Sequence, residues 1–204
     1  MASDDSPLPH TLRCSLQKCF CSLQEQHETW KRVLAACTSL LGSLSNLAEQ
    51  MQASQKVDFA NTPLRDFPSL PERLRCHQRC AAEALLEELW GKQLELQKVR
   101  DTVGIQIASV FQLYEQQEDL SQERAFQRSV LCPSLVDMLE WLLDVEGFYH
   151  SIYLEVKMLL LQVTYEDMPK MQALPQAWEQ VLQHSLQNVV EDALLKASFF
   201  LEAG

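Results

Sequence analysis

Glycine and isoleucine are scarce: five and three residues among 204. Average usage of about 7% would give roughly fourteen glycines. Long apolar runs are missing as well. The longest span only a few residues, such as Met158 to Leu161, far short of a membrane crossing. The chain opens Met-Ala-Ser-Asp-Asp-Ser-Pro, which lacks the apolar core of a secretory signal. Basic charge is short too: 17 Lys and Arg face 28 Asp and Glu, a net charge of −11. Phosphate backbones are held mainly by Lys and Arg, so direct binding of nucleic acid is not expected.

Leucine (34) and glutamine (21) dominate instead. Such a composition favours helix over sheet. With 47% apolar and 22% charged residues the chain is globular, not collagen-like, disordered or disulfide-knotted. The acidity is uneven: residues 10–56 carry +2, 57–133 carry −3 and 134–204 carry −8. That C-terminal third would repel RNA and attract basic protein surfaces. Seven cysteines without repeated spacing are expected as reduced thiols of an intracellular soluble protein.

Leu16, Phe20, Leu23, His27, Trp30, Leu34, Cys37, Leu41, Leu44, Ala48 and Met51 recur at alternating steps of four and three. That heptad seam, with His27 its only polar member, predicts one helix over residues 10–56. Pro63, Pro68 and Pro71 make 57–71 a connection. A second helix runs to about Gln117 on Leu74, Ala81, Leu85, Leu89, Leu96, Val99, Val103, Ile107, Val110 and Tyr114, with its continuity through Gly91 and Gly104 open. Residues 118–133 form a polar loop. Pro133, Ser134 and Asp137 then open a third helix as a proline-led turn with a capping pair. Its stripe is Leu135, Met138, Leu142, Val145, Tyr149, Ile152, Val156, Leu159 and Val163. After a turn region over 164–174, Pro175 starts a fourth helix carrying Trp178, Val181, Leu182, Leu186, Val189, Ala193, Ala197 and Phe200.

The predicted fold is all-α, an elongated antiparallel bundle of about four long helices with coiled-coil character. Its parts are a flexible tail (1–9), a helical hairpin (10–117), the polar loop (118–133) and a C-terminal helical pair packed on the hairpin (134–204). Helices 1 and 2, at roughly fifty residues each, would extend about 70 Å. The shorter pair would leave their far ends uncovered, and an uncovered apolar stripe marks an interaction surface. Leu23, Trp30, Leu34, Cys37, Leu41, Leu44 and Met51 are therefore the candidate partner-interface residues.

Little else suggests chemistry. Cys76, His77 and Cys80, with His10 and Cys14, have spacings that could share a metal, but structural zinc sites use C-x-x-C in loops, and packing or surface roles outweigh that reading. Gly-x-Ser-x-Gly, His-Glu-x-x-His, Glu-x-x-His and glycine-rich phosphate loops do not occur. Asp137, Glu140 and Asp144 share one helical face that fits solvation better than acid–base work. No catalytic, cofactor or metal site is expected. Arg73, Arg75 and Arg79 form the densest basic cluster.

Five runs resemble the AAA-ATPase-interacting ribosome maturation factor family: Leu44–Gln50 (LSNLAEQ), Val110–Gln116 (VFQLYEQ), Val136–Leu142 (VDMLEWL), Ala173–Trp178 (ALPQAW) and Ser198–Glu202 (SFFLE). They cover nearly the whole chain in order. The resemblance implies a non-enzymatic adaptor assisting cytoplasmic maturation of the large (60S) ribosomal subunit. Implied partners are a pair of type II AAA ATPases of the spermatogenesis-associated kind, a small helical cyclin-dependent-kinase interactor, and the pre-60S particle through proteins. The ATPase would supply the hydrolysis that releases and recycles assembly factors. The family is found in cytoplasm and nucleus, with the nucleolus open. The rival reading is a self-associating structural or tethering coiled coil unrelated to ribosomes.

Overall fold

The computed structural model describes residues 8–117, 125–128, 133–185 and 187–202. Among them are five α-helices and no strand: α1 (His10–Gln55), α2 (Leu70–Glu115), α3 (Leu135–Leu161), α4 (Met168–Ser185) and α5 (Val189–Glu202). A 3-10 turn, Phe59–Asn61, lies between α1 and α2, capped by Asp58, whose carboxylate accepts from the Ala60 amide at 3.1 Å. Most of the expected polar loop, residues 118–124 and 129–132, lies outside the described residues, as do 1–7 of the expected tail. Leu8 is buried.

The chain divides into two compact units. The first takes Met1–Lys31, Gln97–Tyr153 and Ser185–Gly204; the second takes Arg32–Leu96 and Leu154–His184. Each unit is supplied by parts of α1, α2 and α3, completed by α5 in the first and α4 in the second.

In the first unit α1 and α5 run antiparallel. Gln17 Nε2 donates to the Phe200 carbonyl (3.2 Å), and Lys31, about four turns along α1, meets Glu191 at the other end of α5 (3.3 Å). Helices α2 and α3 are also opposed: Tyr153 donates to Gln97 (3.0 Å), while Gly104 lies against Glu146. In the second unit α4 opposes α1. Trp178 Nε1 donates to Thr38 Oγ1 (2.8 Å), and Ser45 Oγ donates to the Gln172 carbonyl (3.2 Å).

The α1 seam is buried along its whole length, from Leu16 to Met51. Each large apolar member contributes about 1.5–3 kcal/mol by leaving water. The α3 stripe is likewise internal except for half-buried Leu159, joined by Leu139, Phe148, Tyr153 and Leu160. Its start is the predicted capping pair: the Ser134 amide donates to Asp137, and the Asp137 amide donates to Ser134 Oγ, both at 3.2 Å. Arg128 closes the arrangement with two bonds to the Asp137 carboxylate, at 2.9 and 2.7 Å, which hold that carboxyl below the usual range.

One question left open by the sequence is answered, and two expectations need correction. Helix α2 is continuous through Gly91 and Gly104. Its first half is rotated by one residue from the predicted stripe: Gln78, Ala82 and Leu86 are buried, Ala81 is exposed and Leu85 half-buried. Polar Gln78 holds a core position because Ser54 Oγ donates to its side-chain oxygen (3.2 Å), so the apolar pattern alone misplaces the face.

The predicted fourth helix is two helices. It starts seven residues early, at Met168, with Pro169 in the first turn and the Lys170 amide donating to Asp167 (3.1 Å). Pro175 sits inside α4, where the loss of its hydrogen bond is offset by burial of Met171, Leu174 and Trp178. Residues 187 and 188 are non-helical and precede α5, with Glu191 and Asp192 favourably placed near its positive N-terminal end.

Candidate partner-binding surfaces

The earlier start of α4 changes the interface question. Leu23, Trp30, Leu34, Cys37, Leu41, Leu44 and Met51 are all buried, the most accessible being Met51 at 8% exposure. The seam is this chain's own core, not an uncovered stripe, because α4 and α5 bring more helix against α1 than a helix starting at Pro175 would.

Polar groups inside the core are mostly partnered. His27 Nδ1 and the Tyr149 hydroxyl share a hydrogen bond of 3.0 Å, and His27 Nε2 lies 3.6 Å from Glu191. Burial and nearby Lys31 push the His27 pKa down, while Glu191 and Glu28 oppose them. Trp30 packs edge-on against Tyr149, with ring centroids 4.9 Å apart. Its indole nitrogen is the buried side-chain atom without a hydrogen-bond partner among the described residues. Cys19 and Cys37 are buried thiols whose pKa values burial pushes up to about 12, so both are poor nucleophiles.

The proposed metal-ligand spacings assemble no site. Cys76, His77 and Cys80 are exposed on α2, and His10 approaches Cys14 Sγ at 3.7 Å. Among the described residues no three His, Cys, Asp or Glu side chains are grouped to hold a metal ion. No described helix is long and apolar enough to cross a membrane.

What a partner could meet is a set of outward apolar side chains. In the first unit, Leu195 and Phe199 stand one turn apart on α5, 72% and 63% exposed. The sequence signal was visible: the last turns of this helix are apolar on several sides. In the second unit, Trp90 and Leu94 are exposed on α2, and Leu154, Met158 and Leu161 follow a single face of α3. The second unit also holds a basic cleft. A cavity of about 330 Å³ is lined by Met51, Ser54, Gln55, Arg75, Gln78, Arg79, Tyr165, Glu166 and Met168. Another, of about 290 Å³, shares Ser54, Gln55 and Arg75 with it.

The amino-acid sequence matches one known group of proteins. The model of the ribosome biogenesis protein C1orf109-like family matches residues 10–199. The chain belongs to this family. Curated relatives named AFG2-interacting ribosome maturation factor are similar to it over most of their length. The Homo sapiens protein is 45% identical over 92% of this chain and 94% of its own. The Xenopus tropicalis protein is 44% identical over 96% and 97%, and the Danio rerio protein 37% over 94% and 96%.

Proposed function

We propose that this family member is a non-enzymatic adaptor subunit of an AAA-ATPase complex that promotes cytoplasmic maturation of the 60S ribosomal subunit by release and recycling of assembly factors. The observation that carries this is the name shared by relatives aligned over 92 to 96% of the chain, which states both the AFG2 interaction and ribosome maturation. The partners are type II AAA ATPases of the spermatogenesis-associated pair, a small helical cyclin-dependent-kinase-interacting protein, and the pre-60S particle reached through proteins. ATP hydrolysis belongs to the ATPase. The chain works in cytoplasm and nucleus. An apolar core closed by its own helices, with large apolar side chains left outside, suits a preformed module that docks by its surface.

The test is affinity purification of the full chain with mass spectrometry, beside fractionation of ribosomal particles. Co-purification of an AFG2-type ATPase, and late pre-60S particles accumulating on depletion, are the expected results. A purified chain that forms a stable homodimer by light scattering and captures no ATPase would instead support the self-associating structural reading.

A further inference from the structure

We propose that the cleft of the second unit is a docking site for an acidic segment of a protein partner, with carboxylates at Arg75 and Arg79 and apolar side chains in the flanking cavities. This rests on the adaptor reading only in taking the occupant to be a protein. The floor comes from the end of α1 and the start of α2, and Tyr165, after α3, forms one wall.

The two guanidiniums lie one turn apart on α2. Arg79 is held over the Tyr165 ring, 5.4 Å from its centroid, and Arg75 Nε donates to the Pro71 carbonyl at 3.3 Å. Neither is in an ion pair among the described residues, so both keep donors for an incoming carboxylate. Residues 64–80 carry four arginines against two acidic side chains, in a chain of net charge −11. An acidic segment is therefore drawn here, away from the rest of the surface.

The apolar half of the site is equally specific. Val57, Phe59 and Leu74 line the smaller cavity, and Phe67 in the same connection is 61% exposed. Buried Gln78 and half-buried Ser54 give the larger cavity a polar floor. A nucleic acid fits worse. The Tyr165 face on which a base would stack is covered by Arg79, while the apolar cavities beside it suit aliphatic side chains.

The probe is a fluorescein-labelled twelve-residue peptide alternating Glu and Leu, titrated with the full chain by fluorescence anisotropy. It is compared with a Gln–Leu counterpart and a labelled single-stranded oligonucleotide. The Glu–Leu peptide should bind roughly tenfold more tightly than the Gln–Leu peptide, and Arg75→Glu with Arg79→Glu should remove that advantage. Both arginines are exposed, so circular dichroism should show the helical fold retained. Equal binding of the two peptides, stronger binding of the oligonucleotide, or an unchanged preference in the doubly reversed variant would each overturn the proposal. ATPase co-purification by the wild-type chain is scored separately. Its absence counts against the adaptor reading, whereas its presence with no peptide preference counts against the cleft alone.

Discussion

Trp30 and Trp178 are both wholly buried, each in a different compact unit, and their indole nitrogens are treated differently. In the second unit Trp178 Nε1 donates to Thr38 Oγ1 at 2.8 Å. In the first, Trp30 Nε1 has no partner among the described residues, and the ring is held by shape and by its edge-on contact with Tyr149. One unit fixes its large aromatic by a directional bond, the other by packing around a polar core group, His27. Apolar bulk is common to both and should dominate. Trp30→Ala and Trp178→Ala should each cost about 3–5 kcal/mol in denaturant unfolding. A loss below about 1 kcal/mol at either position would show that site to be peripheral to its core.

Phenylalanine separates the two more finely. Trp178→Phe gives up a hydrogen bond with a net value of about 0.5–1.5 kcal/mol, besides some volume. Trp30→Phe gives up comparable volume but also removes a buried donor whose lack of a partner costs about 1–3 kcal/mol. Trp30→Phe should therefore be the milder change by roughly 1.5–4.5 kcal/mol, read as a difference in urea midpoint at unchanged slope. Equal losses would mean that leaving the Trp30 N–H without a partner carries no cost.

Histidine offers a second contrast. His184 in the second unit is exposed beside Glu155 at 2.8 Å, whereas His27 in the first is 8% exposed between Tyr149 and Glu191. Desolvation, reinforced by Lys31, lowers the pKa of folded His27. The unfolded chain then binds this proton at higher pH than the folded chain does. Stability should fall as pH drops below the ordinary histidine value of about 6.5, and level off once folded His27 is protonated. One proton limits the slope to about 1.4 kcal/mol per pH unit. Comparing urea midpoints of wild type and His27→Gln from pH 7.5 to 5.5 checks this; parallel curves would remove His27 as the source.

The α1 seam was legible because eleven core positions keep one period and only His27 departs from apolarity. The first half of α2 was misplaced because Gln78, a polar core residue, is satisfied by Ser54 from another helix, which local periodicity does not register. The division between α4 and α5 did leave a trace: Asn188 followed three residues later by Glu191 is a helix-start pattern, hidden because apolar spacing continues across it. Pro175 misled because proline favours a first turn, while tertiary burial tolerates it within α4. The basic cleft combines residues 51–55, 74–79 and 165–168. Only its arginine cluster was visible in the chain, since no periodicity links segments so far apart.

The smallest contrast concerns two glycines of the same helix. Gly91, in the second unit, has open space where a Cβ would go, whereas a Cβ at Gly104, in the first, would touch Glu146 Oε1 at 3.4 Å. Neither has a positive φ, so alanine fits the backbone at both. Replacing glycine by alanine inside a helix reduces the conformational freedom lost on folding, worth about 0.5–1 kcal/mol. Gly91→Ala should therefore stabilise the chain by about that amount. Gly104→Ala should gain the same or slightly less, because the contact is of ordinary van der Waals length and the Glu146 carboxylate can shift aside. Both gains are measurable as urea midpoints. A loss at Gly91 would mean that a group beyond those described opposes the methyl, since nothing among the described residues lies within 4 Å of it.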